Sequence, residues 1–145
     1  FVFAFFGLLA VLGSSVLFIK QIDFTLIFPA VTIGLLSVGV LNLNNMRDAP
    51  QDALIGKRTL AVRMGFSGSK HYHYTLIATA GVSAVIFALL RANEFWSWGF
   101  VLAFVPLLLH VMRVYKITEP SDFDAELKKV ALSTFLYALL MALLF

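Results

Sequence analysis

Phe24–Leu43 reads "FTLIFPAVTIGLLSVGVLNL", and it runs directly into "NNMRDAPQDALIGKRTLAVRMG", Asn44–Gly65. The first stretch carries no charge and is as long as a helix needs to cross the hydrocarbon core of a bilayer, about 20 residues. The second stretch gathers two carboxylates, two adjacent amides and four cationic side chains at the end of that span. A cluster in that place either sets membrane topology or performs chemistry at the lipid–water border.

The rest of the chain supports a membrane setting. Of 145 residues, 61% are hydrophobic and 13% charged, and mean hydropathy is +0.93. A soluble domain carries about a quarter charged residues, so a soluble core with a polar shell is excluded. The apolar residues fall in five blocks: Phe1–Ile19, Phe24–Leu43, about Tyr72–Leu90, about Phe95–Tyr115 and Val130–Phe145. Lys20, Gln21 and Asp23 end the first block, and Arg91, Asn93 and Glu94 end the third. Pro106 predicts a kink in the fourth. The fifth is short for a span, and a helix starting near Asp124 would lengthen it. The expected fold is an all-α, polytopic transmembrane bundle of about five helices.

There is no cysteine, which excludes disulfides, thiolate ligands and a Cys nucleophile. The chain begins with Phe inside an apolar block, without a basic leader, so it is expected to be a piece of a longer protein.

Cations set the topology. Arg47, Lys57, Arg58, Arg63, Lys70, Arg113, Lys116, Lys128 and Lys129 fall on one side of the expected bundle, and Lys20 and Arg91 on the other. Nine against two places the rich side in the cytoplasm, which predicts a multi-pass protein of the cell's inner membrane with its Asp-containing loop facing inward. Without Arg47, Lys57 and Arg58 the bias is still six against two. Trp96 and Trp98 lie on the poor side, as interfacial aromatics do.

Asp48 and Asp52 are four apart, a spacing that places two side chains on one helix face. Paired acids repel unless a cation joins them, and Mg²⁺ takes hard oxygen ligands, typically one or two carboxylates plus substrate phosphate. Pro50 disfavours the helical conformation at Ala49 and suits a first helical turn. Asp48 is therefore expected just outside a helix and Asp52 within its first turn, near backbone N–H groups that favour anions. A solvated, topology-setting loop would need the cations alone, and the residues leave both readings open. If a site, the set suits ionisation of an allylic diphosphate, with Arg47, Lys57 and Arg58 clamping oxygens as negative charge develops. The isoprenoid tail would lie in the apolar bundle.

The run Asn44–Gly65 resembles the second aspartate-rich motif of the UbiA superfamily of intramembrane prenyltransferases, and most of all its menaquinone branch. The fixed positions N-N-x-R-D-x-x-x-D-x-x-x-G-K-R-T-L-A-V-R-x-G are all filled here. The opening "FVFAFFGLLAVLG" and the late "LKKVALSTFLYALL" resemble the same branch, so the likeness spans the chain. It implies a nine-helix fold, of which these blocks are the last five, and a Mg²⁺-dependent site opening near the cytoplasmic face. It also implies transfer of a polyprenyl group from polyprenyl diphosphate to 1,4-dihydroxy-2-naphthoate, with release of CO₂ and diphosphate, giving demethylmenaquinone. By that likeness Asp48 and Asp52 would bind the metal. Arg47, Lys57 and Arg58 would contact the diphosphate or organise the site, with Asn45 beside them. The superfamily's first Asp-rich motif has no counterpart here. The chain is thus expected to be the carboxy-terminal part of one prenyltransferase domain, dependent on a missing amino-terminal half. Its other partner is the bilayer, and no nucleic acid is expected.

Other polar residues read as structural. His71 and His73, two apart, do not share a helix face and fit an interfacial role with Tyr72 and Tyr74. His110 and Arg113 fit structure, with contact to a substrate carboxylate as the alternative. Asn42 suits either a cavity or helix packing, and Ser133 and Thr134 suit hydrogen bonds within the bundle. Glu119, Asp122, Asp124 and Glu126 read as a solvated connection capping the last helix. Other functions remain open: prenyl transfer to 4-hydroxybenzoate or a tetrapyrrole, or a cation-coupled transporter fragment. The last would place charges near the membrane midplane. A phosphatidyltransferase lacks its D-G-x-x-A-R element here.

Overall fold

A computed structural model describes residues 1–20, 23–91 and 93–145, with the backbone alone at Ile19. Gln21, expected to help end the first block, lies outside the described residues. Every regular element among them is helical.

The first helix, α1, is wound with a π pitch over Phe3–Gly13 and as an α-helix over Ser14–Ile19. Lys20 closes it in the left-handed conformation, φ 56°. Asp23 opens the next by accepting hydrogen bonds from the Thr25 backbone N–H at 2.9 Å and hydroxyl at 2.6 Å. A 3-10 turn, Phe24–Leu26, leads into α2, Ile27–Leu54. α3 covers Leu60–Arg91. A 3-10 stretch, Phe95–Phe104, precedes α4, Val105–Lys116, and a turn at Pro120–Asp122 precedes α5, Phe123–Leu144. Four segments are long and apolar enough to cross a membrane: Phe24–Leu54, Leu60–Arg91, Phe95–Lys116 and Pro120–Leu144. The apolar helix Phe3–Phe18 is shorter. The chain is a multi-pass membrane protein.

Two expectations about boundaries change. The second span does not stop near Leu43: α2 continues through Pro50 to Leu54. A helix of 28 residues is about 42 Å long, against a hydrocarbon core of about 30 Å. Its last turns therefore reach the border, and Pro50 leaves the carbonyl of Met46, a residue 1% exposed, without its helical N–H partner. The third span begins at Leu60 rather than Tyr72, interrupted at Gly65. The fifth begins at Phe123, close to the extended start expected near Asp124. The kink expected at Pro106 is a change of winding, from 3-10 to α, with Pro106 in the first turn of α4.

α2 lies centrally, touching α1, α3 and α5. Gly7 of α1 meets α2 so closely that a Cβ there would stand 2.5 Å from the Ala30 carbonyl oxygen and 2.7 Å from the Gly34 Cα. One apolar cluster, including Leu36, Leu43, Ile77, Leu107 and Val130, joins α2 to α5. A second, around Phe87, Phe100 and Tyr137, fills the far end. Many large apolar side chains remain exposed, among them Phe18, Leu89, Leu108 and Leu132. A bilayer would cover such a surface.

Candidate functional site

The last three turns of α2 carry the polar cluster. Arg47 donates from Nε to Asp48 Oδ1 at 2.9 Å, and from Nη2 to Asn44 Oδ1 at 2.8 Å and Asp48 Oδ2 at 3.3 Å. Asn44 Nδ2 donates to Asp48 Oδ2 at 3.2 Å. The remaining arm of the guanidinium, Nη1, donates to Asp124 Oδ1 on α5 at 2.7 Å. Spacings of three and four residues bring Asn44, Arg47 and Asp48 to one helix face. The fork of Arg supplies donors in a fixed plane for all three partners.

Asp52 stands one turn further. Its residue is 6% exposed, Oδ1 accepts from Lys57 Nζ at 3.0 Å, and Oδ2 is buried without a hydrogen-bond partner. Lys57 is brought back by the chain reversal after α2, where its N–H donates to the Asp52 carbonyl at 2.8 Å. Gly56 makes that reversal at φ 75°. Gly65 reopens the helix beyond it with φ 69° and ψ 176°, a region essentially confined to glycine.

The expected helix start at Pro50 is thus corrected. Asp48 and Asp52 both sit inside α2, near its carboxy-terminal end. The local backbone field there favours cations over anions, so the pull of helix N–H groups expected at Asp52 is absent. Side chains do that work instead: Arg47 and Asn44 for Asp48, Lys57 for Asp52. Arg58 is exposed between α2 and α3. Asn45 is half-buried beside the cluster, but the cluster's hydrogen bonds run through Asn44.

The donor set fits a hard divalent cation shared with a phosphorylated ligand. No group of three His, Cys, Asp or Glu residues suits a metal among the described residues, so a fully protein-made cage is excluded there. Mg²⁺ commonly binds through one or two carboxylates, with phosphate and water completing its shell. A buried carboxylate oxygen without a donor, as in Asp52, is costly and suits such a partner.

A groove of about 460 Å³ between α1, α2 and α5 ends at this cluster. Phe6, Val40, Leu41 and Leu127 line it, and Asn44 stands at the polar end. Its walls are mainly apolar, with Ser37 and Thr134 among them, and Asn44 offers hydrogen-bonding groups beside the cluster.

A second polar system was not expected. His73, wholly buried on α3, meets His110 on α4 with Nε2···Nε2 at 2.7 Å. His110 Nδ1 lies 2.7 Å from Glu126 Oε2, and Glu126, 4% exposed, also pairs with Lys129 and stands 3.8 Å from Arg113. The interfacial role expected for His73 therefore belongs to His71 alone, exposed and edge-on to Tyr74. Glu126 is not part of a solvated connection, because it faces His110; Glu119, Asp122 and Asp124 are exposed as expected, but Asp122, at the N-cap of α5, makes no side-chain capping hydrogen bond. Asn42 serves helix packing, donating to the Ser69 carbonyl at 3.0 Å. Thr134 bonds within α5, to the Val130 carbonyl at 2.8 Å. The one sequence signal for the histidine system is cost: an ionisable side chain within a span needs an internal partner.

Comparison with known proteins now bears on this geometry. Residues 1–144 match the model of the UbiA prenyltransferase family. The chain is 39% identical over 142 residues to the 1,4-dihydroxy-2-naphthoate octaprenyltransferase of Haemophilus influenzae, covering 98% of this chain and 46% of that protein. Against the enzyme of that name in Escherichia coli, identity is 37% over 143 residues, with the same coverage. Against that of Mycobacterium tuberculosis it is 42% over 108 residues, covering 74% of this chain and 36% of that protein. The chain spans about half the length of the curated relatives it matches. No solved structure matches.

Proposed function

The chain belongs to the UbiA prenyltransferase family, and from that premise we propose that the protein it is part of prenylates 1,4-dihydroxy-2-naphthoate. A polyprenyl group would pass from polyprenyl diphosphate to the ring, with loss of CO₂ and diphosphate, giving the prenylated 1,4-diol, which is the quinol form of demethylmenaquinone. The acceptor is taken from the names of its relatives. The observation that carries the reading is Asp52: a buried carboxylate with one unpartnered oxygen, beside Lys57, at the water end of a membrane helix.

Asp48 and Asp52 would hold Mg²⁺, which when bound supplies positive charge to the leaving diphosphate. Arg47, Lys57 and Arg58 supply the remaining cations, Arg47 as a planar fork suited to two oxygens of one phosphate. The apolar groove beside Asn44 accepts the prenyl chain and keeps water from its reactive end. Segments beyond this chain, expected on the amino-terminal side, would complete the metal site. The cation bias supports placing the cluster at the cytoplasmic face of the inner membrane.

In the complete protein, Asp48→Ala or Asp52→Ala is expected to abolish Mg²⁺-dependent release of diphosphate from the prenyl substrate. Normal turnover in both variants would reject the function. Lys57→Ala is expected to weaken binding of the diphosphate substrate and leave the aromatic acceptor unaffected; equal weakening of both removes Lys57 from the clamp.

A further inference from the structure

The buried histidines do not touch the diphosphate cluster. His73 lies against Gly39, where a Cβ on the glycine would stand 3.5 Å from its Cε1. Gly39 and Asp48 are nine residues apart, which puts them on opposite sides of α2. A carboxylate only accepts hydrogen bonds, so His110 donates to Glu126 from Nδ1. In a neutral imidazole its Nε2 is then a lone pair, and His73 donates to it. The result is a directed chain from α3 through α4 to α5.

That chain ends two residues from the diphosphate cluster. Asp124 and Glu126 both belong to the first turn of α5 and point about 200° apart around it. Asp124 reaches outward to Arg47 at 2.7 Å, and Glu126 reaches inward to His110 at 2.7 Å. With Asn42 bonded to the Ser69 carbonyl, polar contacts link α2, α3, α4 and α5 in a closed ring. One turn of α5 is therefore gripped from both sides.

We propose that Glu126, His110 and His73 are positioning residues for the diphosphate site: they fix the first turn of α5 so that Asp124 holds Arg47 in its binding orientation. The inference rests on the function proposed above. Arg47 keeps Asp124 and Asn44 as partners whatever Asp48 binds, and Asp124 is the partner contributed by another helix. Loss of the inner grip lets the turn rotate and releases Asp124. Lys129 and Arg113 also face Glu126, and they neutralise its charge without reaching Arg47's cluster.

The test is a double-mutant cycle in the complete protein, with Glu126→Gln and Asp124→Asn singly and together. Affinity for inorganic diphosphate with Mg²⁺ is read by calorimetry, and KM for each substrate by kinetics. Glu126→Gln is expected to weaken inorganic diphosphate and raise KM for the prenyl diphosphate by about tenfold, as coupled neighbours do, with KM for the aromatic acceptor unchanged. On the Asp124→Asn background its effect should fall below about twofold. Multiplicative effects, a matching rise in the acceptor's KM, or a fall in kcat alone would overturn the proposal. Glu126→Asp keeps the charge on a shorter arm and should show the same selective loss; unchanged affinity there also overturns it. Asp48→Asn separates the two claims. Should that variant turn over normally, the proposed function falls and this inference with it; should it be inactive while the cycle is multiplicative, the inference alone falls.

Discussion

Replacing Asp52 by leucine should make the protein more stable and destroy its activity. Asp52 is 6% exposed, with Oδ2 buried and unpartnered. An unsatisfied buried acceptor costs about 1–3 kcal/mol, and an acid near a helix carboxy-terminus a further ~0.3–1 kcal/mol. Against this stands the ion pair with Lys57, whose side chain is 58% exposed. Pairs open to water contribute about 0–1 kcal/mol. The balance favours leucine by roughly 1–2 kcal/mol, a rise of a few degrees in unfolding temperature. Activity should fall by at least about 10²-fold, the scale seen when one group stabilising developing charge is removed. Thermal unfolding in detergent and diphosphate release, measured on the same preparation, read both quantities. A lower unfolding temperature with activity retained would refute the reasoning, since Asp52 would then be a structural partner of Lys57.

Other expectations follow from the helix contacts. Gly7→Ala would press a methyl group on the backbone of α2, 2.5 Å from the Ala30 oxygen. Overpacking of this kind costs about 1–3 kcal/mol, more than the ~1 kcal/mol that alanine gains in helix propensity. Gly13→Ala on the same helix meets nothing within 4 Å and should be neutral or stabilising, so equal unfolding temperatures for the two variants would contradict the close crossing. On the opposite side of the membrane, hydrogen bonds from the Thr25 hydroxyl and then its backbone N–H hold the Asp23 carboxyl below its ordinary value of 3.8, with help from Arg91 and against partial burial. Its folded pKa is lowered, so its contribution is full above the ordinary value and is lost as pH falls through the folded one. Asp23→Asn should therefore flatten the acid limb of stability below about pH 4, and an unchanged limb would remove Asp23 from that role.

The spans were legible because length and hydropathy determine them. Phe24–Leu43 and Phe95–Tyr115 need no tertiary information to be recognised as membrane helices. Pro50 misled because local sterics disfavour a helix at Ala49, whereas a long membrane helix packed against its neighbours tolerates proline. Thus Asp48 and Asp52 do lie one turn apart on a single helix, but at the opposite end from the one the proline suggested. Asp124 looked like a solvated acid, and its bond to Arg47 depends on the packing of α5 against α2. His73, His110 and Glu126 are far apart in sequence and carry no shared motif. Only the bundle brings them together, and the cost of a polar side chain in a span was the sole hint.

Manganese, which takes the same oxygen ligands as magnesium, offers the most direct measurement of the central claim. Electron paramagnetic resonance of the complete protein with inorganic diphosphate should show bound Mn²⁺, and the signal should disappear in the double variant Asp48→Asn, Asp52→Asn. A bound-ion signal that survives in that variant would contradict the assignment of both acids to the metal.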